Sequence, residues 1–182
     1  NGSLRGTVRL RGAPTAPAVD ADLAGDALRF GDYRAQRLVA RGRLPWRKGN
    51  GQLLVDASGL ELGLPLENLH LTARGAVEHL QLEGTATGDI GALSLSGSAN
   101  KQGARWQGAL ATLRLTVDKA ATWTLQDAAR WSWDGRNGSL SRSCLASDAG
   151  GELCADADWP RRGVNLEGNG LRVSVEGDGA LA

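Results

Sequence analysis

The two cysteines are the residues whose chemistry the sequence indicates most directly. Cys144 and Cys154 stand on either side of the turn-rich segment 148–151. If short strands flank that turn, the two side chains face each other across a hairpin, where close cross-strand pairs meet disulfide geometry. The pattern favours a disulfide and, with it, an oxidising compartment. Two unpaired buried thiols are the alternative.

The other polar residues predict no catalytic, metal or cofactor site. His70 and His79 fall at polar positions of apolar strands, and their spacing is not that of a helical metal motif, so we expect exposed surface histidines. The chain has no Gly-x-Ser-x-Gly elbow and no phosphate-binding loop. Alternate carboxylates such as Asp20 and Asp22 are typical of a solvated strand face. We therefore expect a protein that is not an enzyme and needs no cofactor.

Six tryptophans are the remaining residues that could form a special surface. Trp131 and Trp133 share one face of any strand that contains them, and most of the tryptophans fall near the cysteines. Core packing beside the cysteine hairpin is the favoured interpretation. A lipid-facing or interface surface is the alternative.

The elements that position these residues are predicted to be strands. Apolar and polar residues alternate repeatedly, as at 69–73, 80–84, 93–97 and 113–117, and this period of two gives each strand one apolar and one polar face. The best helix candidate is 118–130, but Trp123-Thr124-Leu125 within it favours a strand. The sequence predicts an all-β fold with few or no helices.

The composition suits a curled sheet better than a compact core. Besides its tryptophans the chain has one Phe, one Tyr and no Met, and its apolar residues are mostly Leu, Ala and Gly. The recurring pattern apolar-x-apolar-x-Gly puts Gly84 and Gly97 where a sheet could bend, although such glycines could equally end each strand. We expect a long curled sheet that forms an apolar trough, and the alternative is a closed β-sandwich with a structural or adhesin-like role.

Charge and length bound the partners and the domain count. A net charge of +1 gives no reason to expect nucleic-acid binding. No run approaches the about 20 apolar residues that a membrane helix needs. No linker divides the chain, so we expect residues 1–182 to form one domain, and the missing Met predicts a piece of a longer protein.

The order of features in the second half of the chain resembles the TamB family. The residues that carry this resemblance are "LEGTATGDIGALSLSGSANKQGARWQGALATLRLT", then "WTLQDAARWSW", then "SCLASDAGGELCADADW". The similarity covers roughly Leu69 to Trp159, and the cysteine and tryptophan segment is its specific part. The region before Leu69 fits the family's general style less specifically.

The resemblance implies a middle periplasmic segment of a long protein that is anchored in the inner membrane. Family members form the translocation and assembly module with TamA, an outer-membrane barrel of the Omp85 class, and are similar to AsmA-like bridge-type lipid carriers with a sheet curled into a β-taco. The implied cargo is phospholipid, or client β-strands during outer-membrane protein and autotransporter assembly. The resemblance carries over no catalytic residues.

An apolar trough would need a lining of aliphatic side chains. Acyl chains are natural occupants of such a lining, because burying each CH₂ is worth about 0.8 kcal/mol. Exposed strand edges would also allow a dimer of the isolated chain. The residues predicted to line the groove are Leu69, Leu71, Leu80, Leu82, Leu93, Leu95, Leu110, Leu113, Leu115 and Val117.

Overall fold

The computed structural model describes residues 2–13, 16–61, 65–161, 163–168 and 171–175. These residues form strands and turns with no helix, which confirms the predicted all-β class. They divide into two compact units, residues 1–94 and 95–182. The described part of the chain contains no helix long and apolar enough to cross a membrane.

The first unit is an antiparallel meander in which each strand pairs with the next one along the chain. Such a meander forms when short turns join strands of alternating polarity. Its strands are β1 (Ser3–Arg11), β2 (Ala18–Phe30), β3 (Tyr33–Leu44), β4 (Gly51–Glu61), β5 (Pro65–Ala76) and β6 (His79–Gly88). The next strand, β7 (Gly91–Gln102), begins in the first unit and ends in the second.

The register of the first unit gathers its apolar residues on one face. Residues aligned across antiparallel strands point to the same side of a sheet, so each aligned row belongs to one face. Three such rows, each six strands wide, contain only apolar residues and glycine. In order from β1 to β6 the rows are Leu4, Gly25, Leu38, Ala57, Leu69, Ala86; Gly6, Leu23, Ala40, Val55, Leu71, Gly84; and Val8, Ala21, Gly42, Leu53, Ala73, Leu82.

The intervening rows carry mostly charged and hydroxyl-bearing residues. One of them runs Thr7, Asp22, Arg41, Leu54, Thr72, Glu83. Ion pairs connect neighbouring strands there, including Arg41 with Asp22 at 3.3 Å and Arg74 with Glu83 at 2.8 Å. The first unit therefore has one apolar face and one polar, solvent-facing side, which we call the wet face, as the alternation predicts.

Glycines lie inside the strands and bring backbones close together. Gly42 has φ +136°, and a Cβ at this position would collide with the carbonyl oxygen of Gln52 on β4. Gly97 lies within β7, where a Cβ would stand 2.5 Å from the carbonyl oxygen of Ala109. Gly84 lies inside β6 as well. At Gly84 and Gly97, where two interpretations were open, the glycine does not mark a strand end.

The second unit is also antiparallel, with one interrupted strand. Its elements after β7 are β8 (Arg105–Val117), β9 (Thr122–Leu125), β10 (Ala129–Trp133), β11 (Gly138–Ser147), β12 (Glu152–Trp159), β13 (Gly163–Gly168) and β14 (Leu171–Val175). Both β9 and β10 pair with β8 on one side and β11 on the other, so they are two parts of one broken strand. The expected strand at Trp123–Leu125 is confirmed.

The break between β9 and β10 coincides with irregularities in its neighbours. The register of β11 shifts between Leu140 and Ser143. The Ser141 hydroxyl there accepts a hydrogen bond from the Arg130 amide at 2.9 Å, and the Cys144 carbonyl accepts one from the Gln126 amide at 3.0 Å. Side-chain and displaced backbone groups thus satisfy amides that a regular ladder would have paired.

The buried residues in both units are small. The buried apolar residues of the described chain are mostly alanine, and none of its large side chains is fully buried. Within each unit the strands contact their hydrogen-bonded neighbours, and no second sheet of the same unit packs on the apolar face among the described residues. A sandwich would instead interdigitate large side chains from two sheets.

Candidate functional site

The three apolar rows of β1 to β6 form a continuous surface, which we call the first apolar face. Leu69, Leu71 and Leu82 of the predicted lining belong to these rows, and Leu80 extends the surface because it aligns with Gly75 at the end of β5. The structure therefore brings these four leucines together on one side of one sheet. Each row contains both large residues and alanine or glycine, and in the row that begins with Leu4 the two kinds alternate.

Several large side chains of the first apolar face are exposed. The exposed fractions are 59% for Leu4, 53% for Val8 and 37% for Leu71, and Leu10, which aligns with Val19 beside the rows, is 66% exposed. Scattered single apolar residues are normal on a protein surface, but a contiguous patch marks a place where something binds. Leu4, Val8 and Leu10 lie on the same side of the edge strand β1, and Leu71 lies further into the first apolar face on β5.

The remaining predicted lining residues lie on β7 and β8. Leu93 and Leu95 point to the same side of β7, because they are two residues apart. The Ser96 and Thr112 hydroxyls meet at 2.7 Å on the polar side, which places Leu95 and Leu113 on the opposite, apolar side of the second unit.

An irregular stretch of β8 brings Leu110 and Leu115 to the same side. Regular alternation would separate them, since they are an odd number of residues apart. Leu110 aligns with Ala129 and Leu115 aligns with Trp123, and both partners lie on the side of Trp131 and Leu145. Val117 follows Leu115 by two residues and shares its side. We call this surface the second apolar face.

Five tryptophans converge on the second apolar face. Trp106 aligns with Trp133, Trp133 aligns with Gly138, and Gly138 aligns with Trp159. Trp123 and Trp131 lie on the same side of the sheet. None of these five rings is buried, and Trp133 is 42% exposed. Their convergence depends on the registers of four strands and could not be found from spacing.

The disulfide between Cys144 and Cys154 is confirmed. The two residues are aligned partners in the β11–β12 hairpin, with Cα atoms 4.0 Å apart. Their neighbours Leu145 and Leu153 point to the second apolar face, so the disulfide lies on the opposite face. Glu152 stands close to both sulfurs, but sulfurs joined in a disulfide offer no thiolate to a metal ion.

A polar cluster on the wet face of the first unit has the residue types of an acid–base site. His70 Nδ1 contacts Asp56 Oδ1 at 2.5 Å, and Thr72 Oγ1 lies 3.2 Å from His70 Nε2. Asp56 and His70 line a cavity of about 410 Å³ that also contains Arg37 and Asn68. Thr72 is only 5% exposed, however, so its hydroxyl is held against the ring and is not presented to a substrate.

Asp134 shapes the turn that follows Trp133. Its Oδ1 accepts hydrogen bonds from the Asn137 amide at 2.8 Å and the Arg136 amide at 3.0 Å, and the Asn137 side chain donates to Oδ2 at 3.0 Å. These bonds, chiefly those from Asn137, lower the pKa of Asp134 from 3.8 to about 2. The carboxylate thus fixes the β10–β11 turn at one end of the second apolar face.

Comparison with known protein families gives a match over most of the chain. A family described as TamB, N-terminal domain, matches residues 1–162. This range includes the region before Leu69, where the sequence alone gave the less specific resemblance. No curated protein and no solved structure matches the chain.

Proposed function

The chain belongs to the TamB N-terminal domain family, and from this premise we propose that it is a non-enzymatic segment of a periplasmic envelope protein that shelters the acyl chains of lipids. The observation that carries the proposal is the first apolar face, three aligned rows across six strands without a charged side chain. The disulfide supports an oxidising compartment such as the periplasm. Anchoring in the inner membrane and delivery toward an Omp85-class barrel are further parts of the proposal.

The dimensions of the first apolar face suit hydrocarbon chains. Strands about 4.8 Å apart and residues about 3.4 Å apart along each strand give a surface of about 24 Å by 14 Å over the three rows. One leaflet of a bilayer core is about 15 Å thick, so the acyl chains of a phospholipid fit on this surface. No polar side chain in the rows would hold a chain at one position, so lipids could slide along them.

Leu82 and Gln81 provide a matched test, because they are neighbours on β6 that point to opposite faces. Glutamate at Leu82 would put a charge among the acyl chains, whereas glutamate at Gln81 would face Arg74 on the wet face. The chain is incubated with phosphatidylcholine vesicles and re-isolated, and its bound lipid is extracted and quantified. We expect Leu82→Glu to lose most bound lipid and Gln81→Glu to retain it. Equal retention by both variants, or no lipid on the unmodified chain, would refute the proposal.

A client β-strand is a second candidate cargo, and the edge strand β1 favours it. Every residue of β1 is exposed, and its only hydrogen-bonded partner strand among the described residues is β2. An edge with free amide and carbonyl groups can accept a further strand. Hydrogen exchange distinguishes the two cargoes. A bound strand peptide would slow exchange of the β1 amides, whereas bound lipid would leave those amides unchanged.

A further inference from the structure

The second apolar face ends in an aromatic row, which we define as Trp106, Trp133 and Trp159. Their alignment across β8, β10, β11 and β12 puts all three rings at the same end of the strands. Gly138 leaves a gap in the row, and the Trp133 ring lies beside it, since a Cβ at Gly138 would be 2.9 Å from Trp133 Cε3. Tryptophan is favoured where an apolar surface meets water, because its ring is apolar and its N–H is polar.

Cations surround this end of the second unit. Lys101 Nζ lies 4.9 Å from the centre of the Trp106 ring, a cation–π contact. Arg105 precedes Trp106, Arg136 lies in the turn after Trp133, and Arg161 lies in the turn after Trp159. None of these four cations forms a salt bridge with a carboxylate among the described residues. Arg105 nevertheless helps to lower the pKa of the Asp134 carboxylate, so Lys101, Arg136 and Arg161 are the cations of this end that can bind an anion.

The two ends of the second unit differ in charge. At the tryptophan end the carboxylates are Asp134, which is engaged by the amides of its own turn, and Asp158. Among the described residues, the opposite end carries Asp118, Asp148 and Glu152 against the cations Lys119 and Arg114, of which Arg114 lies in the cross-strand row of Glu152. The tryptophan end thus has two more cations than anions, and the opposite end has one more anion than cations. The second apolar face therefore has a more positive end, at the tryptophans, and a more negative end at the other ends of the strands.

We propose that the tryptophan end of the second unit holds the head group of an anionic phospholipid whose acyl chains lie on the second apolar face. The phosphate and the additional negative charge are bound by Lys101, Arg136 and Arg161, and the aromatic row marks the boundary between head group and chains. This inference rests on the proposed function, because it needs the apolar faces to accept lipid. It adds selectivity for anionic lipids and a fixed orientation of the bound molecule.

The test compares phosphatidylglycerol with phosphatidylcholine of identical acyl chains. The whole chain is incubated with mixed vesicles and re-isolated, and both lipids are quantified by mass spectrometry. A basic side chain near an anionic lipid contributes about fivefold in affinity, so we expect a preference for phosphatidylglycerol of at least about tenfold. The variant Lys101→Gln/Arg136→Gln/Arg161→Gln should lose this preference and still bind phosphatidylcholine.

A matched control removes the same charge elsewhere in the second unit. Arg114→Gln/Lys119→Gln/Arg130→Gln should keep the preference, because these exposed residues lie away from the aromatic row. Salt gives a second readout on the unmodified chain. The preference should fall severalfold as salt rises from about 0.05 M to about 0.5 M, since exposed charges are screened.

The outcomes separate this inference from the function on which it rests. Binding of neither lipid would refute the proposed function. Equal binding of both lipids, or equal loss of preference in the two triple variants, would overturn the anionic head-group site and leave the proposed function standing. Co-sedimentation with phosphatidylglycerol vesicles without any lipid on the re-isolated protein would also overturn it, because the basic end would then dock on a membrane surface.

Discussion

Leu71 and Leu44 provide the sharpest test of whether the first apolar face is open. Leu71 lies in the middle of that face and is 37% exposed, whereas Leu44 at the end of β3 is 5% exposed. Complete burial of a leucine side chain is worth about 1.5–3 kcal/mol, so the burial of about two thirds of Leu71 is worth about 1–2 kcal/mol. Truncation of a buried leucine to alanine costs about 2–5 kcal/mol, because a cavity is added to the lost transfer energy.

We therefore expect Leu71→Ala to lower the free energy of unfolding by about 1 kcal/mol and Leu44→Ala to lower it by about 3 kcal/mol. Urea unfolding followed by far-ultraviolet circular dichroism measures both values, and an unchanged m-value shows that the two transitions are comparable. A loss at Leu71 as large as the loss at Leu44 would refute the reasoning. In that case Leu71 would belong to a closed core, and a lipid could not reach it.

Three further predictions concern the disulfide, the β10–β11 turn and a strand glycine. Thiol titration of the unfolded, unreduced chain should find no free thiol, and two free thiols would show that Cys144 and Cys154 are not bonded. The carboxylate of Asp134 should titrate near pH 2 by NMR. Its contribution to the free energy of unfolding is therefore complete above its ordinary pKa of 3.8 and is lost as the pH falls toward 2. A titration midpoint near 3.8 would contradict the turn geometry. Gly42→Ala should lower the free energy of unfolding by about 1–3 kcal/mol, because of the backbone conformation of Gly42 and the nearby Gln52 carbonyl. The loss should exceed that of the turn control Gly103→Ala, where a Cβ would meet open space. Equal shifts in the melting temperatures of the two variants would show that the close approach is absent.

The strands and the disulfide could be predicted from sequence because both depend on local pattern. Alternation in a segment such as 80–84 fixes which residues share a face of one strand, and it needs no knowledge of the neighbours. The cysteine pair flanks a single turn, so its alignment follows from one hairpin. The position of the β5 and β6 leucines on one face follows from local pattern as well, because one short turn at 77–78 joins the two strands and sets their register.

The aromatic row could not be predicted, because irregular positions decide it. The register shift between Leu140 and Ser143 and the break between β9 and β10 change which residues share a face. A one-residue change in register moves every later side chain to the other side of the sheet. Spacing alone therefore linked Trp131 with Trp133 but could not link either of them with Trp106 or Trp159.

The central claim is that acyl chains occupy the first apolar face, and photo-crosslinking tests it most directly. A phosphatidylcholine with a photoreactive group in its acyl chain is bound to the chain and irradiated, and the labelled residues are identified by peptide mass spectrometry. We expect labels on rows of the first apolar face, at residues such as Leu71 and Leu82. Labels confined to the wet face, at residues such as Gln81 or Arg74, would contradict it.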